Sequence, residues 1–167
     1  MSGYPLKKHF DALLEKVLPA CQAHYAGRLV SLVVFGSVGR GVPGPESDLD
    51  LLLVADALPP GRLGRVTEFR AVERALEPLL DEMRSAGLAP ELSPVFKTPA
   101  EVDRGSPLFL DMVQDARILY DREDFIKRRF ARLEERLKTL GARRIWRGNA
   151  WFWDLKPDYK PGEIFDL

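Results

Sequence analysis

Residues 33–54, "VVFGSVGRGVPGPESDLDLLLV", constrain the fold of this 167-residue chain more than any other segment. The apolar, β-branched run from Leu29 to Phe35 reads as a buried strand that Gly36 and Ser37 break. A short helical turn is expected next, before "GVPGPES" imposes an irregular loop. Asp48 to Val54 reads as a second strand, with Asp48 and Asp50 alternating with Leu49, Leu51 and Leu53. Residues two apart in a strand share a face, so the two carboxylates stand side by side, and burial sharpens their repulsion. A hard divalent cation relieves it, since Mg2+ is commonly held by one or two carboxylates plus substrate phosphates. The turn ahead of the aspartates supplies what a phosphate needs. Backbone N–H groups open a helix there, Gly36 admits close approach, Ser37 carries a hydroxyl and Arg40 a planar cationic fork. The ten residues between Ser37 and Asp48 return the chain, so that turn and aspartates can face one cleft.

The remaining sequence frames this segment with helices. Leu6, Phe10, Leu13, Leu14, Val17 and Leu18 make one apolar face of a helix from Pro5 to about Tyr25, with Pro19 expected to kink or end its regular part. Arg65 to Ala86 is a second helix, with a kink or break expected at Pro78 and a stop at Gly87. Leu88 to Lys97 is a third strand, which its two prolines demote to an edge. Thr98, Pro99 and Glu101 together form a helix start. A short helix over 107–115 and a strand near 117–120 follow. The helix Phe125 to Leu140 carries a clear apolar stripe and stops at Gly141. The tail holds all three tryptophans and is too aromatic for a disordered end, so it is expected to dock. One domain is expected over 1–167: a core of about 5–121, the helix 123–140, and the tail 142–167 packed on the core or on a partner.

Charge balance gives no global sign of a nucleic-acid or membrane partner, so any such surface would have to be a local patch: Lys plus Arg and Asp plus Glu number 25 each. The single Cys21 rules out an intramolecular disulfide and a thiolate metal cluster, and is read as a packed thiol. His9 and His24, far from the motif in sequence, are read as structural or exposed. The charged run "KRRFARLEERLK" is read as a salt-bridged solvent face. "MSGYPLKKHFDALLEK" becomes charged before a signal-peptide core could form, and no apolar run reaches the roughly 18–20 residues of a membrane span. A cytoplasmic location is expected.

Phe35-Gly36-Ser37 followed by Asp48-Leu49-Asp50 resembles the signature of the polymerase-β-like nucleotidyltransferase superfamily, and "GSVGRG" resembles the Gly-Ser-x-x-Arg-Gly form of its minimal members. The resemblance implies an α/β (α+β) fold with a mixed sheet flanked by helices. It also implies transfer of a nucleoside monophosphate from an NTP, preferably ATP, to a hydroxyl, with two metal ions and release of pyrophosphate. On matching positions, Gly36 and Ser37 would hold the triphosphate and Asp48 and Asp50 would ligate both metals, Mg2+ or alternatively Mn2+. Arg40 and Ser47 are carried as further nucleotide-binding candidates, although Ser47, with Glu46, reads first as a turn residue. The family's third carboxylate falls on Glu91, the one internal acid of a later strand; Glu101, Asp103 and Asp111 are the alternatives. The chain is too short for polymerase template domains, so no template nucleic acid is expected. Minimal members are often paired with a small helical HEPN protein, which they adenylylate as the antitoxin of a toxin–antitoxin pair. A contact-only antitoxin, a transferase of aminoglycoside type and a homo-oligomer stay open alternatives.

Overall fold

The computed structural model describes residues 3–148 and 150–167. In chain order the elements are α1 (Gly3–Tyr25), β1 (Leu29–Val34), α2 (Gly36–Gly39), β2 (Leu49–Ala55), α3 (Gly61–Ser85), β3 (Leu92–Lys97), α4 (Pro99–Asp103), α5 (Phe109–Asp115), β4 (Arg117–Asp121), α6 (Phe125–Leu140), β5 (Arg143–Arg147) and β6 (Ala150–Asp154). Four strands form a mixed sheet in the order β3-β2-β1-β4. β1 runs antiparallel to both β2 and β4, while β2 and β3 are parallel.

Alternation along the central strands sends side chains into two apolar layers. Leu49, Leu51 and Leu53 of β2 join Leu32 and Val34 of β1 beneath α1 and α3, against Phe10, Leu13, Val17, Phe69, Val72 and Leu76. Leu52 and Val54 join Val30 and Val33 on the opposite face, against Val102, Phe109, Met112, Ile126 and Phe130 of α4, α5 and α6. Burying each such side chain contributes about 1.5–3 kcal/mol, and cover on both faces explains the nearly unbroken apolar run of β1 and β2. By the same alternation Asp50 belongs to the α4–α6 face, where the apolar filling gives out.

Neither proline ends its helix: α1 runs through Pro19 and α3 through Pro78. Both residues are exposed. The carbonyl that loses its N–H partner therefore lies on the solvent side, where water replaces the missing bond, while the buried stripes hold each helix together. The expected edge strand is shorter than its sequence range and starts at Leu92. Its Pro94 pairs with Leu51 from the sheet edge, where a missing N–H leaves no ladder partner unmet. The second strand likewise starts at Leu49, so Asp48 just precedes it.

Helix ends follow the sequence signals. The Glu101 N–H donates to Thr98 Oγ1 and the Thr98 N–H to Glu101 Oε2, a reciprocal cap with Pro99 at the first helical position. Gly141 closes α6 in the left-handed region, with φ of 68°. The start of α6 rests on an acid a few residues upstream: the N–H groups of Ile126 and Lys127 donate to the Asp121 carboxylate at 2.9 and 3.0 Å. The hydroxyl of buried Ser31 donates to the same group at 2.7 Å. Cys21 is buried, and its thiol is pushed up to about 12 by that burial. The aromatic tail folds into an antiparallel hairpin, β5–β6, in a sheet of its own. Among the described residues no helix is long and apolar enough to cross a membrane.

Candidate active site

The turn and the aspartates meet. β1 ends at Val34, the Phe35 N–H donates to the Asp50 carbonyl at 3.0 Å, and Gly36 follows with φ of +65°. A Cβ at Gly36 would stand 3.1 Å from Asp50 Cγ and overlap its Oδ2 outright. Position 36 therefore demands glycine twice, for its left-handed backbone and for the carboxylate seated against its Cα. The first α-helical bond of α2 runs from the Gly39 N–H to the Phe35 carbonyl at 3.1 Å. The N–H groups of Gly36, Ser37 and Val38 precede it and have no acceptor within their own helix.

The return loop is fastened by two serines. The Ser37 hydroxyl donates to Ser47 Oγ at 2.7 Å, and Ser47 Oγ also accepts the Gly44 N–H at 2.8 Å. The Val42 N–H donates to the Ser37 carbonyl at 3.0 Å, so the loop folds back on the turn that begins it. Ser47 thus has the turn role its position suggested, and it also orients Ser37.

Asp48 is exposed and Asp50 half-buried. Burial and, after it, the Asp48 charge push the Asp50 carboxyl above its ordinary range, while a hydrogen bond with the Ser93 side chain and the Arg40 cation act in the opposite direction. This is the electrostatic state a divalent cation would relieve. Two carboxylates with room for phosphate oxygens form a donor set of the type Mg2+ takes.

The third carboxylate is not assembled with them. The Glu91 N–H donates to Asp48 Oδ1 at 3.1 Å and its carbonyl accepts the Leu49 N–H at 2.9 Å, but its side chain is exposed. Among the described residues no group of three or more His, Cys, Asp or Glu side chains is arranged to hold a metal. Glu91 lies one residue before β3, where its backbone rather than its acid meets Asp48, and the β2–β3 register sets Ser93 opposite Asp50. The three alternatives are engaged elsewhere. Glu101 is locked to Arg65 at 2.8 and 3.0 Å, and the Arg65 hydrogen bonds hold its carboxyl down at about 2. Asp103 pairs with Arg129, and Asp111 accepts the Trp151 Nε1–H at 3.1 Å. His24 lies 3.7 Å from Glu68, between α1 and α3 and away from this cleft.

Arg40 follows α2 directly, and its guanidinium lies 4.9 Å from the centroid of the Trp151 ring. Sequence reading allowed the aromatic tail a docking role but did not single out Trp151, because the approach joins a loop and a hairpin more than a hundred residues apart. A cavity of about 550 Å3 on the α5–α6 side, lined by Asp103, Arg104, Arg129, Arg132 and Arg136, includes neither Asp48, Asp50 nor any residue of the turn.

Comparison with known proteins gives this chain relatives. The family model of a nucleotidyltransferase domain matches residues 14–139. A protein of Methanocaldococcus jannaschii, provisionally named a protein adenylyltransferase, is 28% identical over 136 residues, spanning 80% of this chain and 87% of that one. Among solved structures, a toxin–antitoxin complex with AMP-PNP aligns with a TM-score of 0.47 and 13% identity, over 77% of this chain and 92% of that chain. A tri-AMPylated HEPN toxin of Shewanella oneidensis in complex with its MNT antitoxin aligns at 0.41 and 13%, over 78% and 88%.

Proposed function

The chain belongs to the nucleotidyltransferase domain family, and on that premise we propose that it transfers AMP from ATP to a hydroxyl of a protein acceptor. The observation that carries this reading is the Asp50 carboxylate seated against Gly36, which joins a carboxylate pair to a turn whose first N–H groups have no acceptor within their own helix. The relative named for protein adenylylation favours a protein acceptor over a small molecule. The small helical HEPN partner implied by the sequence resemblance is the acceptor to test, with this chain as the antitoxin.

In the transfer the acceptor oxygen attacks the α-phosphorus, its hydroxyl proton is released, the bond to the β-phosphate breaks and pyrophosphate leaves. Gly36 and Ser37 would seat the triphosphate through backbone N–H groups, with Arg40 neutralising charge as the leaving group separates. Ser47 would hold Ser37 in place through their shared hydrogen bond. Asp48 and Asp50 would hold Mg2+, with Glu91 beside them as the candidate for a third carboxylate. When bound, such an ion polarises phosphoryl oxygens and lowers the pKa of a coordinated hydroxyl.

ATP labelled on the α-phosphorus, incubated with Mg2+, this chain and the HEPN candidate, should label the candidate; ATP labelled on the γ-phosphorus should not. The Asp48→Asn/Asp50→Asn variant should lose the transfer. Transfer that persists in that variant would sink the assignment of the aspartates.

A further inference from the structure

We propose that Trp151, on the C-terminal hairpin, is a positioning residue for the nucleotide site: it carries Arg40 on its ring face and so presents the guanidinium edge to the triphosphate. This rests on the reading of Arg40 as a triphosphate ligand. The hairpin lies wholly outside residues 14–139, so the family match says nothing of it.

Arg40 is an exposed side chain just beyond a one-turn helix, and left alone it would sample many rotamers. Among the described residues its guanidinium donates no hydrogen bond and makes no ion pair. Its recorded close partner is the Trp151 ring, 4.9 Å away. Stacking engages the face of a guanidinium and leaves its in-plane N–H donors unused, and those donors match a phosphate bidentately. Arg40 directly follows α2, whose first residue, Gly36, has Asp50 against its Cα, so the cation is delivered beside the carboxylate pair.

Trp151 is itself fixed by its neighbours, the Trp146 ring 4.9 Å away among them. Its Nε1–H donates to Asp111 at 3.1 Å, and the Arg144 guanidinium lies 5.1 Å from its ring. Arg144 differs from Arg40 in having committed its donors, to Asp115 at 2.5 Å in a mostly buried pair. The chain then closes on itself. The Asp115 carbonyl lies 3.3 Å from where a Cβ of Gly39 would stand, so the end of α5 rests against the residue before Arg40. Two acids of α5 thus anchor the hairpin, and the hairpin holds the cation that α2 delivers.

The test is calorimetric titration of the full chain with a β,γ-imido ATP analogue and Mg2+. Arg40→Ala should weaken binding about tenfold, the loss of one charge-assisted contact. Trp151→Leu, which keeps apolar bulk without the π face, should weaken it about two- to fivefold, the worth of an exposed cation–π contact. Trp151→Phe should restore most of that loss, and Trp151→Leu in the Arg40→Ala background should add none. Thermal midpoints that agree between the Leu and Phe variants show that the difference is not unfolding. An unchanged affinity in Trp151→Leu, or an equal further loss in the Arg40→Ala background, would overturn the positioning role while leaving Arg40 as a ligand. An unchanged affinity in Arg40→Ala would instead remove Arg40 from the triphosphate site, and this proposal with it.

Discussion

Replacing Gly36 with alanine separates the demands of backbone and site. Alanine in the left-handed region costs about 1 kcal/mol. The new Cβ would also overlap Asp50 Oδ2, so the carboxylate must leave its rotamer and its bond with Ser93, which adds about 1 kcal/mol. Gly141 provides the control: it also has positive φ, +68°, but nothing lies within 4 Å of its Cβ position. Gly141→Ala should therefore lose about 1 kcal/mol and roughly 2–4 °C of thermal midpoint, and Gly36→Ala about 2 kcal/mol and roughly 4–8 °C. Transfer of labelled AMP should fall by about a hundredfold in Gly36→Ala, because a reacting geometry displaced by about an ångström loses on that scale, and stay near wild type in Gly141→Ala. In an Asp50→Ala background the extra loss of stability at position 36 should vanish. If Gly36→Ala retained transfer within about twofold of Gly141→Ala, the displacement of Asp50 would not be what matters, and the reasoning from the Gly36–Asp50 approach would be refuted.

Two further outcomes are expected. Ser47→Ala removes the acceptor of the Gly44 N–H and the partner of Ser37, so amide exchange at Gly44 should quicken and the KM for ATP should rise with little change in kcat. Glu101 is held at about 2 against an ordinary 4.5 by Arg65, so its stabilising contribution is complete above the unfolded value and is lost as pH falls through the folded one. With solvent screening allowed for at this partly exposed pair, that is about 1–2 kcal/mol. Unfolding midpoints of wild type and Glu101→Gln should differ at pH 7 and converge toward pH 2; parallel curves would rule out the pair as the acid-sensitive element.

The parts legible in the sequence are those whose determinants are close together in the chain. An apolar, β-branched run placed β1, the alternation of Asp and Leu placed β2, and the Thr98–Glu101 cap and Gly141 marked helix ends within a few residues of their observed positions. The Gly36–Asp50 approach was legible because the spacing of a turn and a strand encodes it. The Asp121 cap on α6 was not, since it needs Ser31 on a neighbouring strand to fix the carboxylate. The placement of Glu91 was hidden for a related reason: prolines at 90 and 94 concealed where pairing begins, and the residue meets Asp48 through its peptide N–H just ahead of β3. Pro19 and Pro78 were read as kinks or breaks, and the helices continue through them because exposure, which makes them tolerable, is a property of the packed molecule. The Arg40–Trp151 contact had no local signal at all.

The two aspartates ride at the entrance of β2, which has a hydrogen-bonded strand on either side and apolar cover on both faces. Such a strand cannot open without rupturing the whole sheet, so its amides should exchange only by global unfolding, at rates that report the full stability of the molecule. The hairpin, in a sheet of its own and held to α5 by side chains alone, can lift away in a far smaller fluctuation. Nucleotide entry and product exit would then be timed by the hairpin end of the cleft, while the carboxylates keep their spacing through every turnover.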